Sequence, residues 1–413
     1  MSFKGQVSYN TLGNVVTLFC QWLIIMIIPK ITNFSEAGVF AVAVSVSSIT
    51  NQIAVFTLNQ YQVAHQYEQY SENDFAITRV VTIALSFVCV IPISALFCYG
   101  LDQIYIILAY TLYRNLINFA YLHQSSLQII NRLDYAGKCM ILEGLTSFSV
   151  YIGAYILFGN LLLSTLLMAL IGGGVFLLTM GRGYREFMGH PFGLNIGKRD
   201  NILPLLKIGL PMMLSTLCPI IITALPKLIL ENQWGTELVG IFSTLTSPTI
   251  IVPTLAQAIF IPFTAYFANL SKRGEFNKLR IQYGKILVCM AIAAVFTYIL
   301  SVLCAEPVFE MIYGTEISPY TDYFNILIIG IFLYTVGICG ITVLITKNQG
   351  IAAGLSSVTA LLFSAIVFMI WIPVNGMDGA TWGLMASYGV FGLLITISIY
   401  LLPIKNDTEK AVY

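Results

Sequence analysis

Apolar residues run along this chain in stretches of about 20, broken by short polar or turn-forming clusters, and a helix of that length crosses about 30 Å of hydrocarbon. Twelve such runs stand out, at residues 7–28, 36–58, 77–97, 103–122, 138–158, 161–180, 205–230, 237–263, 284–304, 323–345, 351–371 and 380–402. The pattern predicts an all-α polytopic membrane protein with about twelve transmembrane helices. The shortest breaks are Gly-Asn at 159–160, one hairpin turn, and Lys-Asn-Gln-Gly at 347–350. The long polar connection at 181–201 splits the runs six and six. It predicts two six-helix lobes around a central cavity: residues 1–180, a cytoplasmic linker at 181–204, and residues 205–413.

The two halves open alike. TLFCQWLIIMIIPKI (17–31) reads against STLCPIIITALPKLI (215–229), and each is followed by a Gly-aliphatic-Phe step, at 38–40 and 240–242. Parallel repeats of this kind mark transporters whose two lobes rock against each other.

Composition agrees with the pattern: 58% of the 413 residues are hydrophobic and 9% charged, against about 25% charged in a soluble domain. The N-terminal run lacks a small-residue cleavage site and is read as the first membrane helix, not as a removed signal. With both termini inside, all but three of the 20 basic residues fall in inner connections, while the outer ones collect acids such as Asp102, Glu231, Glu306 and Glu316. That bias predicts N-in, C-in. The exceptions are Lys30, Arg114 and Lys227.

Arg114 lies near the middle of its run, too deep to snorkel easily, with Tyr110 and Asn118 one turn to either side on the same face. Two readings stand: a structural arginine satisfied by a neighbouring helix, or a cation lining a wet cavity for an anionic group. Asn10, Asn14, Thr17 and Gln21 draw one line along the first run, and Ser243, Ser247, Thr254 and Gln257 mark the eighth. Such residues glue helices together or line a cavity. Glu143 is either a relay for a proton or cation or the partner of a nearby Lys or Arg. Pro204, Pro211, Pro219 and Pro226 share one face of the seventh run, and Pro248, Pro253 and Pro262 mark the eighth, so both are expected to bend.

Several functions are excluded. A net charge of +1 argues against nucleic-acid binding, and His65, His123 and His190 lack metal-ligand spacing. The eight cysteines form no Cys-x-x-Cys pair, no phosphate-binding loop of the nucleotide-hydrolase type is present, and no acid, base and nucleophile constellation suggests catalysis. No metal or cofactor is expected.

Six stretches resemble the Wzx-type polysaccharide flippases of the multidrug/oligosaccharidyl-lipid/polysaccharide exporter superfamily: NTLGNVV (10–16), PKITNFSEAGVFAVAVSVSSI (29–49), LNQYQVAHQ (58–66), NRLDYAGK (131–138), LLKIGLPMMLST (205–216) and ALPKLIL (224–230). Lys227 stands where that family often has Arg, which keeps the charge but loses the bidentate fork. The resemblance implies a flippase, not an enzyme, in the bacterial plasma (inner) membrane. Its cargo would be an undecaprenyl-pyrophosphate-linked oligosaccharide repeat unit, moved to the outer face by alternating access for O-antigen, capsule or exopolysaccharide.

It also implies membrane lipids and the polymerase and chain-length proteins of the same pathway as partners, while Glu143 leaves a proton or sodium gradient open as the energy source. The expected substrate-binding residues are Arg114, Lys227 and Lys30 for the diphosphate, with Asn14, Gln21, Tyr110, Asn118 and Gln257, and Glu143 for ion coupling. The alternatives are a drug/cation antiporter of the same superfamily, which would want carboxylates in its cavity, and an integral-membrane polymerase or acyltransferase, which would want a large outer loop or outer catalytic residues.

Overall fold

Without water to bond to, an apolar segment satisfies its backbone within itself, and each predicted run is helical. The computed structural model describes residues 3–65, 70–190, 201–347 and 349–401. The expected linker's middle, residues 191–200 with Lys198 and Arg199, lies outside them, as do Lys405 and Lys410.

The helices are α1 (Phe3–Ile31), α2 (Phe34–Val55), α3 (Leu58–His65), α4 (Glu72–Leu96), α5 (Leu101–Ile129), α6 (Leu133–Phe158), α7 (Leu161–Leu167) and α8 (Gly174–Met188), the last two joined by a π-helical turn at Met168–Gly173. There follow α9 (Ile202–Trp234), α10 (Thr236–Thr246), α11 (Ile251–Lys272), α12 (Phe276–Tyr313), α13 (Thr321–Thr346), α14 (Gly350–Asn375) and α15 (Met377–Leu401). Among the described residues, 11 helical spans are long and apolar enough to cross a membrane. The 29-residue α5 is the twelfth long helix, and its polar side chains keep it out of that set.

The short breaks form as their residues dictate. Gly159 takes the left-handed conformation at φ 58° that ends α6, and the Asn160 side chain caps α7 by accepting from the Leu163 N–H at 2.9 Å. Proline acts differently in the two expected bends. α9 runs unbroken through Pro204, Pro211, Pro219 and Pro226, whereas a 3₁₀ turn at Ser247–Ile250, containing Pro248, separates α10 from α11.

The helices gather into two compact units, Met1–Met213 with Thr223–Ser247, and Leu214–Ile222 with Pro248–Tyr413. In the first, α1 packs along α6, and α2 is enclosed by α4, α5 and α10. Its aromatic core sets Phe40 edge-on to Tyr110 at 5.5 Å and beside Tyr151 at 5.2 Å. Gly38 of α2 and Gly240 of α10 make a reciprocal crossing. A methyl group on Gly38 would overlap the Thr236 carbonyl oxygen, and one on Gly240 that of Phe34. Packing therefore groups α10 with the first unit, although its sequence position follows the expected linker. In the second unit α15 packs between α13 and α14, with Phe368 and Phe391 fully buried. Apolar side chains of α12 such as Val288, Ile292, Val295 and Phe296 stay exposed, as hydrocarbon contact requires.

Candidate functional site

The polar stripe on α5 is longer than the apolar run that carries it. The helix continues past residue 122 to Ile129, so Arg114, Tyr121, Ser125 and Gln128 share one face about 60° wide and about 21 Å long. Its lower half opens on a cavity of about 420 Å³ inside the first unit, where Tyr121, Gln124, Ser125 and Gln128 of α5 meet Asn14 of α1 and Asn59 of α3. Val63 and Met140 complete the lining, in which no charged side chain appears among the described residues.

Close backbone approach brings α1 to this face. A methyl group on Gly13 would overlap the Gly137 carbonyl of α6, and one on Gly137 that of Tyr9. Thr17 then donates to the Met140 carbonyl at 2.8 Å, and Gln124 reaches Asn10 Oδ1 at 3.4 Å. Asn14, exposed, donates to the Asn10 carbonyl at 3.0 Å and keeps its own oxygen for the cavity.

Arg114 is half-buried and makes no hydrogen bond or ion pair among the described residues. Its charge nevertheless acts on Tyr110, Tyr121 and Glu143. Glu143 itself, 2% exposed, is held by hydroxyls and not by a Lys or Arg: Tyr113 donates to it, and Ser147 Oγ does so at 3.0 Å.

The other expected residues disperse. Tyr110 is buried against Phe40 and Tyr113, and Asn118, 1% exposed, donates to Asn51 Oδ1 at 2.8 Å, so both serve the packing of α5 on α2. Gln21 is half-buried further along α1 and does not line the cavity. Lys30 is exposed at the end of α1, and Lys227 is half-buried in α9; neither has a partner among the described residues. Gln257 is exposed on α11 in the second unit.

Sequence reasoning missed Asn59, Gln124, Gln128 and Arg79. The two glutamines follow from the spacing on α5 once the helix is allowed past residue 122. Arg79, counted among the inner-connection cations, instead lies in α4, fully buried, and donates to the Ala54 and Val55 carbonyls at 2.7 and 2.9 Å. No sequence signal distinguishes it from a surface arginine.

Residues 146–322 match the family model described as "Polysaccharide biosynthesis protein". The capsular polysaccharide biosynthesis protein CapF of Staphylococcus aureus is 24% identical over 390 residues, covering 90% of this chain and 93% of that protein. Among solved structures, the inward-facing conformation of a multidrug-resistance MATE family transporter of the MOP superfamily superposes with TM-score 0.70 at 14% identity, covering 97% of both chains. The lipid II flippase MurJ in its inward closed conformation gives TM-score 0.66 at 12% identity, over 97% of this chain and 88% of that one. These likenesses establish the fold, and with the spans they make the chain a multi-pass membrane protein.

Proposed function

We propose that this chain, similar to polysaccharide biosynthesis proteins in sequence and to MATE and MurJ transporters in fold, is a polysaccharide-type member of the multidrug/oligosaccharidyl-lipid/polysaccharide exporter superfamily and a flippase for lipid-linked oligosaccharide repeat units. The cargo is an undecaprenyl-pyrophosphate oligosaccharide built on the cytoplasmic face and turned to the outer face of the bacterial plasma membrane by alternating access, with both chain termini inside.

One observation carries the reading. Arg114 lies within a helix bundle, makes no hydrogen bond or ion pair among the described residues although its charge is felt at Glu143, and shares a polar face with an amide-lined cavity. A half-buried cation inside a membrane bundle without an ion-pair partner is a natural receptor for an anionic ligand. A diphosphate is such a ligand, and the guanidinium offers it a bidentate fork. Lys227 and Lys30 are proposed to attract the same group further along. The glycan finds amides, a hydroxyl and an aromatic face, and the polyprenyl tail stays in the bilayer.

The cavity chemistry argues against a drug/cation antiporter, since among the described residues no carboxylate lines it. Energy comes from a proton or sodium gradient, with Glu143 as the coupling carboxylate. Replacing Arg114 by Ala is expected to abolish surface polysaccharide while the protein remains in the membrane at its normal level. Normal surface polysaccharide from that variant would overturn the assignment.

A further inference from the structure

Asn59, one of the four carboxamides on the cavity, is held from behind by a buried charge. The chain turns from α2 into α3 through Phe56 and Thr57, two non-glycine residues with φ of 45° and 55°. Such a turn leaves the last carbonyls of α2 without helical partners. Arg79 crosses from α4 and occupies two of them, Ala54 and Val55, with Nη1, while Nη2 donates to Asn59 Oδ1. Thr82 Oγ1 adds a second donor to the Ala54 carbonyl at 2.8 Å. One turn along α3, Gln62 donates to the Leu122 carbonyl and to Ser126 Oγ, both at 3.3 Å, and ties α3 to α5.

The consequence is directional. With its oxygen turned to Arg79, the Asn59 side chain presents its NH₂ group to the cavity as a donor. Asn14 keeps an acceptor, and Gln128 is exposed at the cavity with both its oxygen and its NH₂. Among the described residues this wall of donors and acceptors carries no charge, and it suits hydroxyl and acetamido groups. It does not suit a carboxylate, which would leave water with no cation to meet it.

We infer that this cavity is the subsite for an uncharged sugar next to the cargo diphosphate, and that Arg79 is the positioning residue that presents the Asn59 amide to it. The inference rests on the reading of Arg114 as the diphosphate-binding residue. From Arg114 to Tyr121 is about 10 Å along α5, so sugar and diphosphate occupy successive stretches of one face.

The test uses the purified full chain in detergent and three probes: farnesyl diphosphate, farnesyl diphosphate bearing N-acetylglucosamine, and farnesyl diphosphate bearing glucuronic acid. The N-acetylglucosamine probe is expected to bind about tenfold tighter than farnesyl diphosphate, the worth of two or so net hydrogen bonds, and the glucuronic acid probe to gain nothing. Gln124→Ala and Gln128→Ala should each shrink that gain. Asn59→Asp keeps an oxygen for Arg79 but removes the donor, and should erase it. Arg79→Lys cannot hold two carbonyls and Asn59 together, and should bring the ratio between the neutral and acidic probes towards one.

That ratio is taken on one preparation, so a loss of folded protein does not move it. Equal binding of farnesyl diphosphate and its N-acetylglucosamine derivative, or equal binding of neutral and acidic sugars, overturns the inference. If farnesyl diphosphate binds Arg114→Ala as well as it binds the parent protein, the diphosphate reading is what fails.

Discussion

Tyr113 of α5 donates its phenolic hydroxyl to the Glu143 carboxylate of α6, and the two side chains are 1% and 2% exposed. With Ser147 as second donor, this is how a carboxylate is accommodated deep in the first unit without an ion pair. Tyr113→Phe removes one donor and leaves the group under-satisfied. We expect a loss of about 1–3 kcal/mol, read as a lower thermal unfolding midpoint of the detergent-purified protein. An unshifted midpoint would contradict the account.

The crossing of α2 on α10 depends on the absence of side chains at Gly38 and Gly240, because each faces a backbone carbonyl of the other helix that cannot step aside. Gly38→Val should force the helices apart and cost about 3 kcal/mol or more, at the upper end for overpacking. Membrane-inserted protein should fall sharply and the surviving fraction should unfold earlier. A conservative change at half-buried Val39, next along the helix, should do neither, and Val39→Ile is the control.

Arg79→Met keeps the length and loses the donors, leaving the Ala54 and Val55 carbonyls short of partners in a buried site. The expected cost is about 3 kcal/mol, with hydrogen exchange quickening first at the last turn of α2 and in α3. Uniform quickening across all helices would argue that Arg79 has no local role.

If Glu143 couples transport to an ion gradient, Glu143→Gln should keep the hydroxyl partners and lose the response to the gradient. In proteoliposomes its flipping rate should be the same with and without an imposed proton or sodium gradient. A variant that still accelerates several-fold when a gradient is imposed would remove Glu143 from that role.

Much of the fold was legible because hydrocarbon demands long apolar runs, and all twelve fall on helical stretches, the sixth interrupted by a π-helical turn and the eighth by a 3₁₀ turn. The Gly-Asn hairpin at 159–160 was legible because left-handed backbone and an N-cap call for those two residues. What escaped was the polar end of α5: an apolar count stops at residue 122, but the helix goes on, and Gln124 and Gln128 lie on that continuation. The short α3 was missed for the same reason, being too polar and too brief to register as a span.

At the site, the deep arginine could be found from its depth alone. The partners of Glu143 and Arg79 could not, because Tyr113 is 30 residues and Ala54 is 25 residues away in sequence and only packing brings them together. Tyr110 and Asn118 share the periodicity of Arg114 yet turn to α2, since a stripe on a helix names a face and not its neighbour.

The most direct test of the central claim is reconstitution. Purified protein is placed in liposomes containing a fluorescent lipid-diphosphate-linked oligosaccharide, and the fraction accessible to a membrane-impermeant quencher is followed with time. The account predicts that the protected inner-leaflet pool becomes quenchable in vesicles carrying the protein, and that Arg114→Ala vesicles behave like protein-free ones. A pool that stays protected with the parent protein, or is released equally by Arg114→Ala, would contradict it.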